Sequence, residues 1–173
     1  MQSIKKMMII TIIVISSALT GVAFSQKTTI APSAPNGITL PKDYKDWRVI
    51  ATSHRTDNNT LRVILGNDIA IQAASEGKTN PWPEGTILAK LVWQDTQHEK
   101  WPTATIPGDF VHAEFMRKAT KEYAATGGWG FARWVGMEQQ PYGENADFVK
   151  ECFGCHTPVK NHDYVFTQPV SLP

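Results

Sequence analysis

From Arg48 onward the chain alternates apolar and polar residues with the period of two that marks half-buried strands. Arg48 to Arg55 sets Val49, Ala51 and Ser53 on one face and Ile50, Thr52 and His54 on the other. Asp57-Asn58-Asn59 carries turn chemistry, and Thr60 to Leu65 is a second run of strand formers ended by Gly66, so the two segments predict a hairpin. Thr86 to Trp93 is the clearest strand. Asp109 to Arg117 alternates Val111, Ala113 and Phe115 against His112 and Glu114, which favours a strand, and Trp129 to Val135 is an aromatic strand.

Helical spacing is weaker and local. Asn67 or Asp68 caps a helix through about Ser75, with Ile69, Ala70, Ala73 and Ala74 on its apolar face and Gly77 as its stop. Ala119 to Ala125 predicts a short helix closed by Gly127 and Gly128, Asn145 to about Cys155 another, and Tyr44 to Trp47 a single helical turn. The prolines of Lys78 to Gly85 and of Asp95 to Gly108 predict loops, Gln26 to Pro41 an extended arm, and Thr157 to Pro173 an extended tail. The sum is an α+β chain, mostly β: an antiparallel sheet of about five strands with short helices, in one domain over residues 42–173.

The first 25 residues stand apart from this pattern. Lys5 and Lys6 precede the apolar run Met7 to Ile15, and Ala23-Phe24-Ser25 fits a small-x-small cleavage site, as in a secretory signal. The alternative is an uncleaved anchor, which Ser16, Ser17 and Thr20 argue against. Cleavage removes two lysines and no acid, turning the formal charge from +1 to −1. No basic patch points to nucleic acid. The chain is expected in the periplasm, with no stable membrane insertion once the signal is gone.

The chemistry concentrates in Cys152-Phe153-Gly154-Cys155-His156, the attachment signature of a c-type haem. The two thiols add to the haem vinyl groups, and the adjacent imidazole becomes the axial ligand of the iron. The chain has two cysteines in all, so no second pair completes a zinc site. A redox dithiol would follow a strand and sit early in its domain, whereas this motif ends a predicted helix near the C-terminus. Export agrees with haem, because c-type haem is attached outside the cytoplasm.

A sixth ligand would make the protein an electron carrier; without one, the iron is five-coordinate and open to a small molecule. The candidates are Met116, Met137, His54, His98, His112 and His162. Two cations interrupt apolar strands. Lys90 lies between Leu88 and Val92, either snorkelling from an edge strand or buried with its amine made nucleophilic. Arg62 lies beside Ile64, either paired with a surface carboxylate or turned into a haem cavity as a donor.

The chain resembles the cytochrome P-460 family, which includes mono-haem hydroxylamine oxidases and the gas-binding cytochromes c′-β. The likeness runs through Leu40-Pro41-Lys42-Asp43-Tyr44, Trp47, Pro83-Glu84-Gly85-Thr86, Lys90, Gly128-Trp129, the Cys152 to His156 motif and Asp163-Tyr164-Val165-Phe166-Thr167. It implies an antiparallel sheet core, a homodimer, and one covalent haem c with His156 as proximal ligand of a five-coordinate iron. In the hydroxylamine-oxidising members a lysine is also bonded to a haem meso carbon, and Lys90 stands at the matching place. The resemblance makes Arg62 the pocket arginine and leaves a pocket carboxylate to Glu144 or Asp147. The aromatic run Trp129 to Trp134 departs from the oxidases in detail. The expected activity is oxidation of hydroxylamine to nitrous or nitric oxide, with electrons passed to a soluble acceptor such as a small cytochrome c. The rival expectations are nitric oxide or carbon monoxide binding without turnover, and electron transfer.

Overall fold

The computed structural model describes residues 31–170. The predicted signal and residues 26–30 of the predicted arm lie outside the described residues. The fold is a six-stranded antiparallel meander, β1 (Arg48–Arg55), β2 (Thr60–Gly66), β3 (Ile87–His98), β4 (Trp101–Lys118), β5 (Trp129–Val135) and β6 (Gln140–Pro141), each strand paired with the next in sequence. The sixth strand is a two-residue extension that alternation could not show. Two helices interrupt the meander, α1 (Asp68–Ser75) between β2 and β3 and α2 (Val149–His156) after β6. Among the described residues, no helix is long and apolar enough to cross a membrane.

The sheet is covered on both faces. On one face Leu65, Ala89, Ala113, Phe115 and Trp134 pack against Ala34, Ile38, Tyr44 and Phe148. Residues 31–41 therefore lie along the sheet, fastened by Asn36 Nδ2 donating to the Phe131 carbonyl at 2.8 Å and Trp134 Nε1 to the Pro32 carbonyl at 2.9 Å. On the other face Ile64, Leu88, Trp129 and Phe131 pack against Ala70 and Ala73 of α1, Trp82 and Val165. Burial on both sides is why the central strands carry few polar residues.

Three expectations change. The segment 95–108 is not a loop: β3 and β4 continue as a two-stranded ribbon, pairing Asp95 with Pro107, Thr96 with Ile106 and Gln97 with Thr105. That ribbon runs past the ends of its neighbours, so its outer edges are free and a proline's missing N–H costs little there. Ala119 to Ala125 forms turns ending in one 3-10 turn, Ala124–Thr126, rather than a helix. The tail begins with 3-10 turns over Thr157–His162 and extends only afterwards, its Val170 N–H donating to the Ile50 carbonyl at 2.9 Å.

Asn67 joins α1 to the sheet. Its side-chain oxygen accepts from Ala70 N and Ile87 N, both at 3.1 Å, and its amide donates to the Gly85 carbonyl at 2.9 Å. One side chain thus caps the helix and replaces sheet partners at the entry to β3. Asn67→Ala should destabilise the fold by about 1–3 kcal/mol in urea unfolding, and Asn67→Asp, which keeps both acceptor bonds, by less.

Candidate functional site

Antiparallel register draws a line of residues across the sheet. Ala51, Ile64, Lys90, Glu114 and Arg133 stand opposite one another in turn from β1 to β5. The parallel line one step along holds Leu88, Met116 and Phe131. Being two residues apart on each strand, both lines project from the same face. They form the floor of a cavity of about 760 Å³, whose roof is α2 and whose wall is Val165, Phe166, Thr167 and Gln168. That volume lies in the usual range of cofactor sites, about 300–1,000 Å³.

The roof explains the spacing of the motif. Cys155 and His156 are three and four residues beyond Cys152, which on a helix puts all three on one face. All three line the cavity, and both cysteines are free thiols. Burial raises the pKa of the Cys152 thiol. The Nδ1 of His156 lies 2.6 Å from the Tyr164 carbonyl oxygen. A carbonyl only accepts, so Nδ1 carries the proton. The lone pair of the neutral ring is then on Nε2. Burial lowers the pKa of His156, with the bond to Tyr164 opposing it in part. The rings of Phe131 and Phe166 stand 5.2 Å and 5.4 Å from the imidazole and restrict its rotation.

The floor has a charged end. Lys90 Nζ pairs closely with one oxygen of Glu114, and Arg133 Nε and Nη2 both reach the other at 2.8 Å. His112 Nε2 lies 3.3 Å from that same oxygen. Burial pushes the Glu114 carboxyl up, but Lys90, Arg133 and His112 outweigh it and hold the pKa at about 2. Burial lowers the pKa of His112, against the pull of Glu114. Arg133 also sits 3.6 Å from Glu151 and stacks on the Tyr142 ring at 4.4 Å. Arg62 lines the cavity too; its Nε is buried with no protein partner, and burial followed by Arg55 lowers its pKa.

Arg62, Lys90, Cys152, Cys155 and His156 therefore meet in one cavity. Lys90 does not snorkel from an edge, because β3 lies inside the sheet between β2 and β4; its side chain is 31% exposed and faces the cavity. Of the two readings of Arg62, the surface pair is absent among the described residues and the cavity position is the one found. Glu144 and Asp147 are both exposed and outside the cavity, Asp147 pairing with Lys150 at 2.9 Å. Asn145 caps the Asp147 N–H and starts a 3-10 turn that turns only Phe148 inward. The carboxylates at the cavity belong to Glu114 and Glu151. Of the candidate sixth ligands only Met116 lines the cavity, in the apolar line beside Phe131; His54 is held by Asp95 at 2.6 Å.

Two thiols and an imidazole with a free Nε2 on one helix face, above an apolar floor and facing an unpartnered buried donor, suit a haem. The sequence profile of the family described as Cytochrome P460 matches residues 41–167. The chain belongs to the Cytochrome P460 family. Comparison with curated proteins gives no match. Membership implies a haem cofactor, and the matched span contains every strand, α2 and the cavity wall through Thr167. The cavity of this Cytochrome P460 chain has an apolar end beside His156 and a charged end around Glu114.

The depressed pKa of Glu114 fixes a pH dependence. Its contribution to stability is fully present above the ordinary carboxyl value of 4.5 and is lost as pH falls through about 2. The amount is about 3 kcal/mol. Acid unfolding of wild type with Lys90 as an ammonium should show this loss between pH 4.5 and 2. Glu114→Gln should lack that part of the acid limb and be less stable at neutral pH by about 3–5 kcal/mol, since it leaves Lys90 and Arg133 without their carboxylate.

Proposed function

We propose that this protein is a periplasmic c-type cytochrome that oxidises hydroxylamine to nitrous or nitric oxide. The observation that supports this reading is a half-buried charged cluster, Glu114 with Lys90 and Arg133, in the cavity that His156 faces, with His112 beside it. Cys152 and Cys155 would hold the haem as thioethers, His156 would bind its iron through Nε2, and Lys90 would add a third covalent link, the Nζ amine replacing a meso hydrogen with loss of two protons and of two electrons to an oxidant such as a peroxide. The haem, once bound, supplies a redox-active iron with a coordination position for a small nitrogen ligand.

The residues divide the remaining work. Arg62, whose buried Nε–H has no protein partner, would donate to the hydroxylamine oxygen and orient it. Oxidation of hydroxylamine releases protons and electrons, and Glu114, the less exposed of the two cavity carboxylates, would take the protons. As an ion pair with an ammonium it is a weak base. A Lys90 nitrogen bonded to a haem meso carbon shares its lone pair with the macrocycle and is no longer an ammonium, so Glu114 would keep Arg133 as its cationic neighbour and its proton affinity would rise. General-base help of this kind is worth about 10²–10⁴ in rate. His112 and the Arg133–Glu151 contact lead from Glu114 toward the surface. The electrons leave to a soluble one-electron acceptor such as a small cytochrome c.

A second reading is favoured by the same pKa. If Lys90 stays an ammonium, Glu114 stays a poor base, and the protein binds nitric oxide or carbon monoxide without turnover. One experiment separates them. The purified holoprotein should have the mass of residues 26–173 plus one haem and a red-shifted Soret band that Lys90→Ala returns to an ordinary c-type position. Hydroxylamine should reduce an added electron acceptor with wild type, and at least tenfold more slowly with Glu114→Gln. An ordinary wild-type spectrum with no hydroxylamine-dependent reduction removes the oxidase reading.

A further inference from the structure

The acceptor for His156 comes from an unusual piece of chain. Asp163 (φ +53°, ψ +38°) and Tyr164 (φ +62°) both adopt left-handed backbone, and neither is glycine. Such residues persist only where their surroundings over-determine them. Here Asp163 is held from three directions. Its Oδ1 accepts from Lys118 Nζ at 2.6 Å, its Oδ2 from the Trp82 backbone N–H at 2.8 Å, and its main-chain oxygen from Trp129 Nε1 at 2.8 Å. The ion pair is buried, with side-chain exposures of 7% for Lys118 and 9% for Asp163, and the ammonium also lies 4.9 Å from the centre of the Trp129 ring. Tyr164 is seated as well. Gly127 leaves space beneath its ring, where an added Cβ would fall 2.2 Å from the ring edge. The product of this clamp is a carbonyl aimed at His156 Nδ1.

We infer that Lys118 and Asp163 are positioning residues for His156: their buried ion pair holds the left-handed turn that presents the Tyr164 carbonyl to Nδ1, and so fixes the tautomer, orientation and electron-donating strength of the iron ligand. A ring that donates a strong hydrogen bond from Nδ1 is a more basic ligand through Nε2 and favours the ferric state. Lys118 sits at the end of β4 and Asp163 in the tail, so the pair ties the last sheet strand before β5 to the segment behind the ligand. This inference rests on the reading of His156 as the haem ligand.

The test uses the ferrous holoprotein. Asp163→Asn keeps an acceptor for Trp82 N–H but abolishes the ion pair, and Lys118→Met abolishes it from the other side. Both variants should lower and broaden the iron–histidine stretching band in resonance Raman spectra. Both should cut the ferric preference about tenfold, a shift of the midpoint potential by about +59 mV. Asn67→Ala, which weakens the fold away from this turn, should reduce stability and leave both readings at their wild-type values. Unchanged band and potential in folded, haem-loaded Asp163→Asn and Lys118→Met overturn the positioning role. Should neither variant load haem, wild type decides: the Nδ1 proton of the carbon monoxide complex should exchange slowly with solvent, and fast exchange overturns the inference. The underlying haem reading fails differently, through a colourless wild type or an iron–histidine band that survives His156→Ala.

Discussion

Glu114 is the carboxylate that allows two cations to occupy the inner face of a sheet. Lys90 and Arg133 come from the strands on either side of it and both close on its side chain, which is 19% exposed. An ammonium or guanidinium half-removed from water is expensive without a partner. Glu114 supplies one partner to both, and the pairing depends on register. A slip of one residue between β3 and β4 would send Glu114 to the opposite face, toward Leu65 and Ala89, and leave Lys90 alone. The same register sets Leu88, Met116 and Phe131 side by side, so the apolar bed of the cavity and its charged end are specified together.

The roof is positioned by different forces. α2 is eight residues long and carries no buried residue of its own, so propensity alone would not hold it. Phe148 before it enters one core, while Val149 and Cys152 touch both. After it the chain turns back through left-handed residues and is fastened at Asp163 to Lys118, Trp82 and Trp129. The helix is thus anchored at both ends and exposed along its outer side. Its inner side is left free for Cys152, Cys155 and His156.

Much of this was legible in the sequence. Alternation located the five main strands, and the pentapeptide named its own chemistry, because thiols at i and i+3 with an imidazole at i+4 have few other uses on one helix face. The ribbon over 95–108 was not legible: a two-stranded arm outside the sheet has no core to face, so its residues carry no apolar signature, and Pro102 and Pro107 argued for a loop. Glu114 was visible only as the polar partner in an alternating run. The missed signal was collective. Lys90, Glu114 and Arg133 are each a charge in the middle of an apolar strand, on three consecutive strands, with signs +, − and +. Proximity to Cys152 in sequence pointed to Glu144 and Asp147 instead; both are exposed, and the Asn145 cap holds Asp147 at the outer start of the turn.

Anchoring the two ends of the cavity separately has a chemical consequence. The groups that would tune the iron, His156 with Tyr164, Asp163 and Lys118, form one hydrogen-bonded chain that does not pass through Glu114. The groups that would move protons, Glu114 with His112, Arg133 and Glu151, form another on the sheet. They meet at the Lys90–Glu114 pair, whose two charges act on His156 in opposite directions. The protonation and bonding of one nitrogen therefore govern both ends at once. As an ammonium, Lys90 locks Glu114 into an ion pair and disfavours positive charge at the ligand. Bonded to a haem meso carbon as proposed, it would be neutral and would release both constraints, so the same scaffold would pass from a ligand-binding cavity to one able to take up protons without any movement of the sheet.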